Sequence, residues 1–80
     1  MFKVLYFAGL REAIGCGAEN LEIPSGVTTV AELHAVLGAR HPALLSAKNL
    51  RVAVNQTMCG MEAPVGEGDE VAFFPPVTGG

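Results

Sequence analysis

Thr29-Val30-Ala31-Glu32-Leu33-His34-Ala35-Val36-Leu37 is the stretch that decides the architecture. Thr29 with Glu32 at the third position after it is a capping box, in which each side chain satisfies a backbone N–H near the helix start. Val30, Leu33 and Leu37 then recur at helical spacing, and Val36 widens the apolar stripe. Pro42 ends the helix by about His41, because the residue before a proline is pushed out of the helical region. No other segment carries so long a helical signal. Its apolar face needs a cover, and the rest of the chain offers strands.

Working outward, residues 2–8 (Phe-Lys-Val-Leu-Tyr-Phe-Ala) are β-branched and aromatic and read as the first strand. Apart from Lys3 the run is apolar on both faces, which predicts a central strand covered on both sides. Residues 9–14 fit one or two helical turns closed by Gly15 and Gly17. Leu21 to Ile23 alternate as a short second strand, stopped by a turn at Pro24, Ser25 and Gly26. Beyond the helix, residues 50–54 alternate as a third strand, with a turn at residues 55–57 and an edge strand over 58–61. Residues 63–68 hold Pro64, Gly66 and Gly68 and read as a loop. Val71-Ala72-Phe73-Phe74 is the last strand, ended by Pro75 and Pro76, neither of which can donate to a ladder. One sheet on one main helix is an α+β domain of two layers. The most apolar strands, the first and the last, belong side by side at its centre, a pattern that fits a β-grasp roll of about five strands.

Eighty residues suffice for one domain and leave no room for a deep two-lobed cleft. Half the residues are hydrophobic and 16% are charged, too apolar for intrinsic disorder. The net charge is −3, and the five Lys and Arg are spread thinly, which argues against a nucleic-acid surface. No apolar run reaches the length of a membrane span, and no targeting segment is visible. Cys16 and Cys59 are too few for an iron–sulfur cluster or a closed zinc site, so no metal is expected. They read as reduced thiols in a cytoplasmic protein.

No motif sets a nucleophile against a base. His34 and His41 read as partly exposed surface histidines, His41 suiting a helix C-terminus. Arg11 with Glu12 is either a solvated pair or a contact for a partner. A thiol enzyme acting through Cys16 or Cys59, with Arg11 approaching Cys16 in space, is one alternative. The informative feature is the end of the chain. Pro75 and Pro76 favour an extended path pointing away from the body. Residues 77–80 are then a flexible tail on a domain of residues 1–76, with a reach past Pro75 on the order of 16 Å. Gly79 and Gly80 lack Cβ atoms, so the end can pass a narrow channel and deliver its terminal carboxylate. Alternation places Phe74 on the sheet face opposite the helix, beside the tail, as an anchor for a partner. The alternative is that Phe74 is tucked under the loop at residues 63–68.

Taken together, Val52-Ala-Val-Asn-Gln-Thr57 and the terminal block Gly68-Asp-Glu-Val-Ala-Phe-Phe-Pro-Pro-Val-Thr-Gly-Gly80 closely resemble the small subunits of molybdopterin synthases, the MoaD family of sulfur carriers. Residues 2–8 with Arg11 and Glu12 fit the same family. The resemblance implies a β-grasp fold and a sulfur-carrying C-terminus. An adenylating partner of the MoeB type would use ATP to join AMP to the Gly80 carboxylate, and sulfur would replace AMP to leave a thiocarboxylate. A large subunit of the MoaE type would take the tail, in a heterotetramer, and transfer sulfur to a cyclic pterin precursor of the molybdenum cofactor. Matching positions give Gly80 the sulfur, Gly79, Thr78 and Val77 the threading, and Phe74, Pro75, Pro76 and Arg11 the contact surface. No cofactor is implied on this chain itself. The alternatives are a Gly-Gly carrier serving thiamine or tRNA thiolation, and a ubiquitin-like binding module whose tail is never activated.

Overall fold

The computed structural model describes residues 1–22 and 25–75. In chain order the elements are β1 (Phe2–Tyr6), α1 (Ala8–Ile14), β2 (Ala18–Leu21), α2 (Val30–Arg40), α3 (Pro42–Ser46), β3 (Arg51–Val54), β4 (Thr57–Cys59) and β5 (Glu70–Phe74). The strands form one sheet in the order β2-β1-β5-β3-β4. The central pair, β1 and β5, is parallel, with Leu5 opposite Ala72 and Tyr6 opposite Phe73. Every other pairing is antiparallel.

The capping box at Thr29 and Glu32 forms as the sequence predicts and starts α2. The segment after β4 completes that start. Val30 N–H donates to the Ala63 carbonyl and Ala31 N–H to the Met61 carbonyl, satisfying donors that no helix can satisfy internally. Val30, Leu33 and Leu37 are fully buried in one core with Phe2, Val4, Tyr6, Val52, Val71 and Phe73 of the sheet and Leu10, Leu44 and Val65 beside them.

Three readings of the sequence are corrected. The second strand lies over Ala18–Leu21, not residues 21–23, because Gly15 in the left-handed region closes α1 and returns the chain early to β1; Ile23 and Pro24 lie outside the described residues. The edge strand is Thr57–Cys59, not residues 58–61, because Asn55 and Gln56 both take positive φ, the conformation of a two-residue hairpin turn, and bring Thr57 opposite Val54. Pro42 ends one helix and also opens another: it stands in the first turn of α3, where its missing N–H costs nothing, and Leu44 of α3 is fully buried.

The fourth correction concerns β1. Phe2, Val4 and Tyr6 are buried under the helices, but Lys3 is exposed and Leu5 only half-buried. β1 is central in the sheet and covered on one face only. The helices all lie on that side, so among the described residues no helix covers the apolar side chains of the other face.

Candidate tail root and docking face

The strand register fixes what the open face carries. One row crosses the whole sheet as Ala18, Leu5, Ala72, Ala53 and Met58, apolar from edge to edge. The row toward the start of β1 and β5 is polar: Asn20, Lys3 and Glu70, with Asn55 beside Glu70. The row at the other end holds Phe74 opposite Arg51. The open face therefore grades from polar to apolar toward the end where β5 delivers the chain to Pro75.

Phe74 lies on this open face and is half-buried. What shields it is Phe7, whose ring stands edge-on to it at a centroid distance of 6.1 Å and an interplanar angle of 81°. Phe7 is placed by its own backbone, whose N–H donates to the Phe73 carbonyl at 3.2 Å. The loop at residues 63–68 lies at the opposite end of β5, where Gly68 N–H donates to the Met1 carbonyl, so it does not cover Phe74. Phe7 is 46% exposed and Met58 53%, both large side chains open to solvent on the apolar half of the face. Beside Met58 an open depression of about 750 Å³ is lined by Asn49, Leu50, Arg51, Met58 and Cys59.

Arg11 is on α1, which leaves β1 beside the end of β5. Its side chain crosses Gly17, where an added Cβ would come within 3.1 Å of Arg11 Nε. Arg11 packs there, and the hydrogen-bond partner of Cys16 Sγ is Glu19 at 3.7 Å. Pro75 is half-buried at the tail root. Pro76, Val77, Thr78, Gly79 and Gly80, five of the expected site residues, lie outside the described residues. Phe7 and Leu5 were missed by sequence reasoning, which assigned residues 2–8 to a strand covered on both faces, and Met58 was read only as part of an edge strand.

Both histidines are partly exposed, as the sequence predicts, and each also makes a polar contact. His34 Nε2 lies 3.1 Å from the Leu44 carbonyl, which ties α2 to α3. His41 Nε2 lies 3.2 Å from Glu19 Oε2, and its ring meets Tyr6 edge-on. Glu19 also accepts from the Tyr6 hydroxyl at 3.3 Å. Burial, and then the Glu19 charge and hydrogen bond, push the Tyr6 phenol well above its ordinary range. This cluster pins the edge strand β2 under the end of α2. Among the described residues, no group of three or more His, Cys, Asp or Glu is placed to hold a metal ion, and no helix is long and apolar enough to cross a membrane.

Residues 4–80 match the ThiS family. The chain belongs to the ThiS family. It is 45% identical over 83 residues to the molybdopterin synthase sulfur carrier subunit of Escherichia coli (strain K12), covering all of both chains. The crystal structure of SAMP1 from Haloferax volcanii shares the ThiS-family fold at a TM-score of 0.82 and 30% identity, covering 99% of this chain and 98% of that one. A complex of subunits 1 and 2 of molybdopterin-converting factor from Helicobacter pylori 26695 contains the same β-grasp fold, at a TM-score of 0.68 and 21% identity over 99% and 97% of the two chains. Within the ThiS family the chain is of the molybdopterin synthase sulfur carrier type.

Proposed function

We propose that this chain carries sulfur as a thiocarboxylate on Gly80 and delivers it to a pterin precursor inside a larger partner subunit. The observation that supports this reading most directly is the placement of the tail root: an open apolar sheet face, anchored by Phe7 and Phe74, at the end where the chain leaves for a terminus of Val77, Thr78, Gly79 and Gly80.

A carboxylate is a poor acyl donor. In the proposed cycle a Gly80 oxygen attacks the α-phosphorus of ATP on an adenylating enzyme, and pyrophosphate leaves. A sulfur nucleophile at the oxidation level of sulfide then attacks the acyl carbon, AMP leaves, and Gly80 ends as a thiocarboxylate. That sulfur next attacks a carbon of the pterin precursor in the large subunit, displacing an oxygen substituent and forming a thioester, and water then cleaves the acyl–sulfur bond, so that the sulfur stays on the pterin and Gly80 returns to a carboxylate. ATP and the acid–base groups belong to the partners; this chain supplies the carrier group, the tail that threads and the face that docks. Gly79, Thr78 and Val77 are the threading residues, and Phe74, Pro75, Pro76 and Arg11, with Phe7 and Met58, form the contact surface. The two thiols, Cys16 and Cys59, are free, which suits a cytoplasmic carrier.

Complementation tests the reading. A bacterial strain lacking its molybdopterin sulfur carrier should regain molybdenum-enzyme activity with the full chain and not with a chain lacking Gly80. Equal rescue by both would defeat the carrier role. The likeness to small archaeal modifier protein 1 (SAMP1) favours a second reading, a protein modifier; it predicts covalent adducts of the chain in a lysate containing the activating enzyme and ATP.

A further inference from the structure

The cations of this chain are sorted by place. Lys3 stands 4.0 Å from Glu70, Arg40 stands 4.0 Å from Glu19, and the Met1 ammonium pairs with Glu67. Among the described residues the remaining three, Arg11, Lys48 and Arg51, have no carboxylate within ion-pair distance, and all three are exposed. The topology gathers these three at one end. Arg51 stands opposite Phe74 at the last pairing of β5. Lys48 lies in the short link between α3 and β3 that leads to Arg51. Arg11 is on α1, the excursion that links β1 to β2 at the same end of the sheet. The opposite end carries Glu67, Asp69 and Glu70 around the start of β5, and Glu22 just past the residue of β2 opposite Phe2. The acids at the tail end are Glu12, on the same short helix as Arg11, and Glu62, whose carboxylate lies against Gly60 just past the end of β4. The tail end thus gathers the three cations that no carboxylate of the described residues pairs, although the net charge is −3.

Leaving charges unpaired costs little on a surface, but sorting them makes a field that reaches beyond contact distance. We propose that Arg11, Lys48 and Arg51 form a cationic rim that steers the tail end of the domain toward a partner protein bearing an acidic rim around the mouth of its tail channel. This rests on the reading that the tail enters a partner, and it adds the chemistry of the surface met there. The apolar row centred on Leu5, Ala72 and Ala53 supplies affinity once docked; the rim sets the orientation and speed of encounter.

Stopped-flow association with an isolated molybdopterin synthase large subunit, followed across a range of salt, tests this. The variant Lys48→Gln/Arg51→Gln should associate roughly threefold to tenfold more slowly at low salt, lose most of the salt dependence, and dissociate within about twofold of the wild type. Glu22→Gln, at the far end, should not slow association. Thermal unfolding at the wild-type temperature shows that both variants are folded. A rim variant that associates like the wild type at every salt concentration overturns the steering proposal and leaves the carrier reading standing. Failure of the wild-type chain to bind the large subunit at any salt overturns the carrier reading, and the steering proposal with it.

Discussion

Phe7 and Phe74 form an edge-to-face pair at the root of the tail, with Phe7 held by the bond from its N–H to the Phe73 carbonyl. The pair joins the end of β1 to the end of β5 on the face without helices. Aromatic pairs of this geometry contribute about 0.5–1.5 kcal/mol beyond the area they bury. Its larger value is expected in docking, because a rigid, half-exposed aromatic anchor is the kind of residue that dominates interface energetics.

Phe7→Ala should therefore separate docking from folding. Nearly half the ring is already exposed, so unfolding free energy should fall by about 1 kcal/mol, while binding to the large subunit weakens by roughly tenfold or more. Calorimetric titration beside chemical denaturation measures both. Unchanged affinity with lowered stability would make the pair a packing device only.

Tail length is the next expectation. One residue added after Gly80, or Gly79→Leu, should abolish sulfur transfer with no change in the unfolding temperature. Threading requires both the free terminal carboxylate and the absence of a Cβ near it. Single-turnover transfer assays with pre-formed thiocarboxylate would show whether either variant retains activity.

The core makes a stability prediction. Leu33, on the buried face of α2, is fully buried, so Leu33→Ala should cost about 2–5 kcal/mol. Thr29→Ala removes one half of the capping box and should cost about 1 kcal/mol. Urea unfolding curves distinguish the two by midpoint.

Acid sensitivity has an identifiable contributor. Glu32 accepts from the backbone N–H groups and hydroxyls of Thr28 and Thr29, and these bonds, those of Thr28 foremost, hold its carboxyl below the usual range. A carboxyl with a depressed pKa in the folded state stabilises the fold above its unfolded pKa, and that contribution is lost as pH falls through the folded value. Stability followed downward from neutral pH should accordingly fall less steeply in Glu32→Gln than in the wild type. An identical pH slope would remove Glu32 from the account.

Much of this was legible in the sequence, and the gaps have physical causes. The start of α2 could be read from Thr29 and Glu32 because a capping box is local, and the pairing of β1 with β5 followed from their apolar content. Pro42 was ambiguous in principle, since the same missing N–H that ends a helix suits the first turn of the next. β2 was misplaced because an edge strand has a weak pattern, and glycines at 15 and 17 set where the chain returns. Phe7 was overlooked for a different reason. Period-two alternation shows that a strand is apolar on both faces, but not whether the second cover comes from its own chain. The sorting of Arg11, Lys48 and Arg51 is invisible in sequence, because only the strand register brings them to one end.

The most direct test of the central claim is the intact mass of the chain after incubation with a molybdopterin-pathway adenylating enzyme, ATP and sulfide. The carrier account predicts a gain equal to replacing one oxygen by sulfur, mapped by fragmentation to Gly80 and reversed on transfer to the pterin precursor. An unchanged mass, with the same enzyme demonstrably charging another carrier, would contradict it.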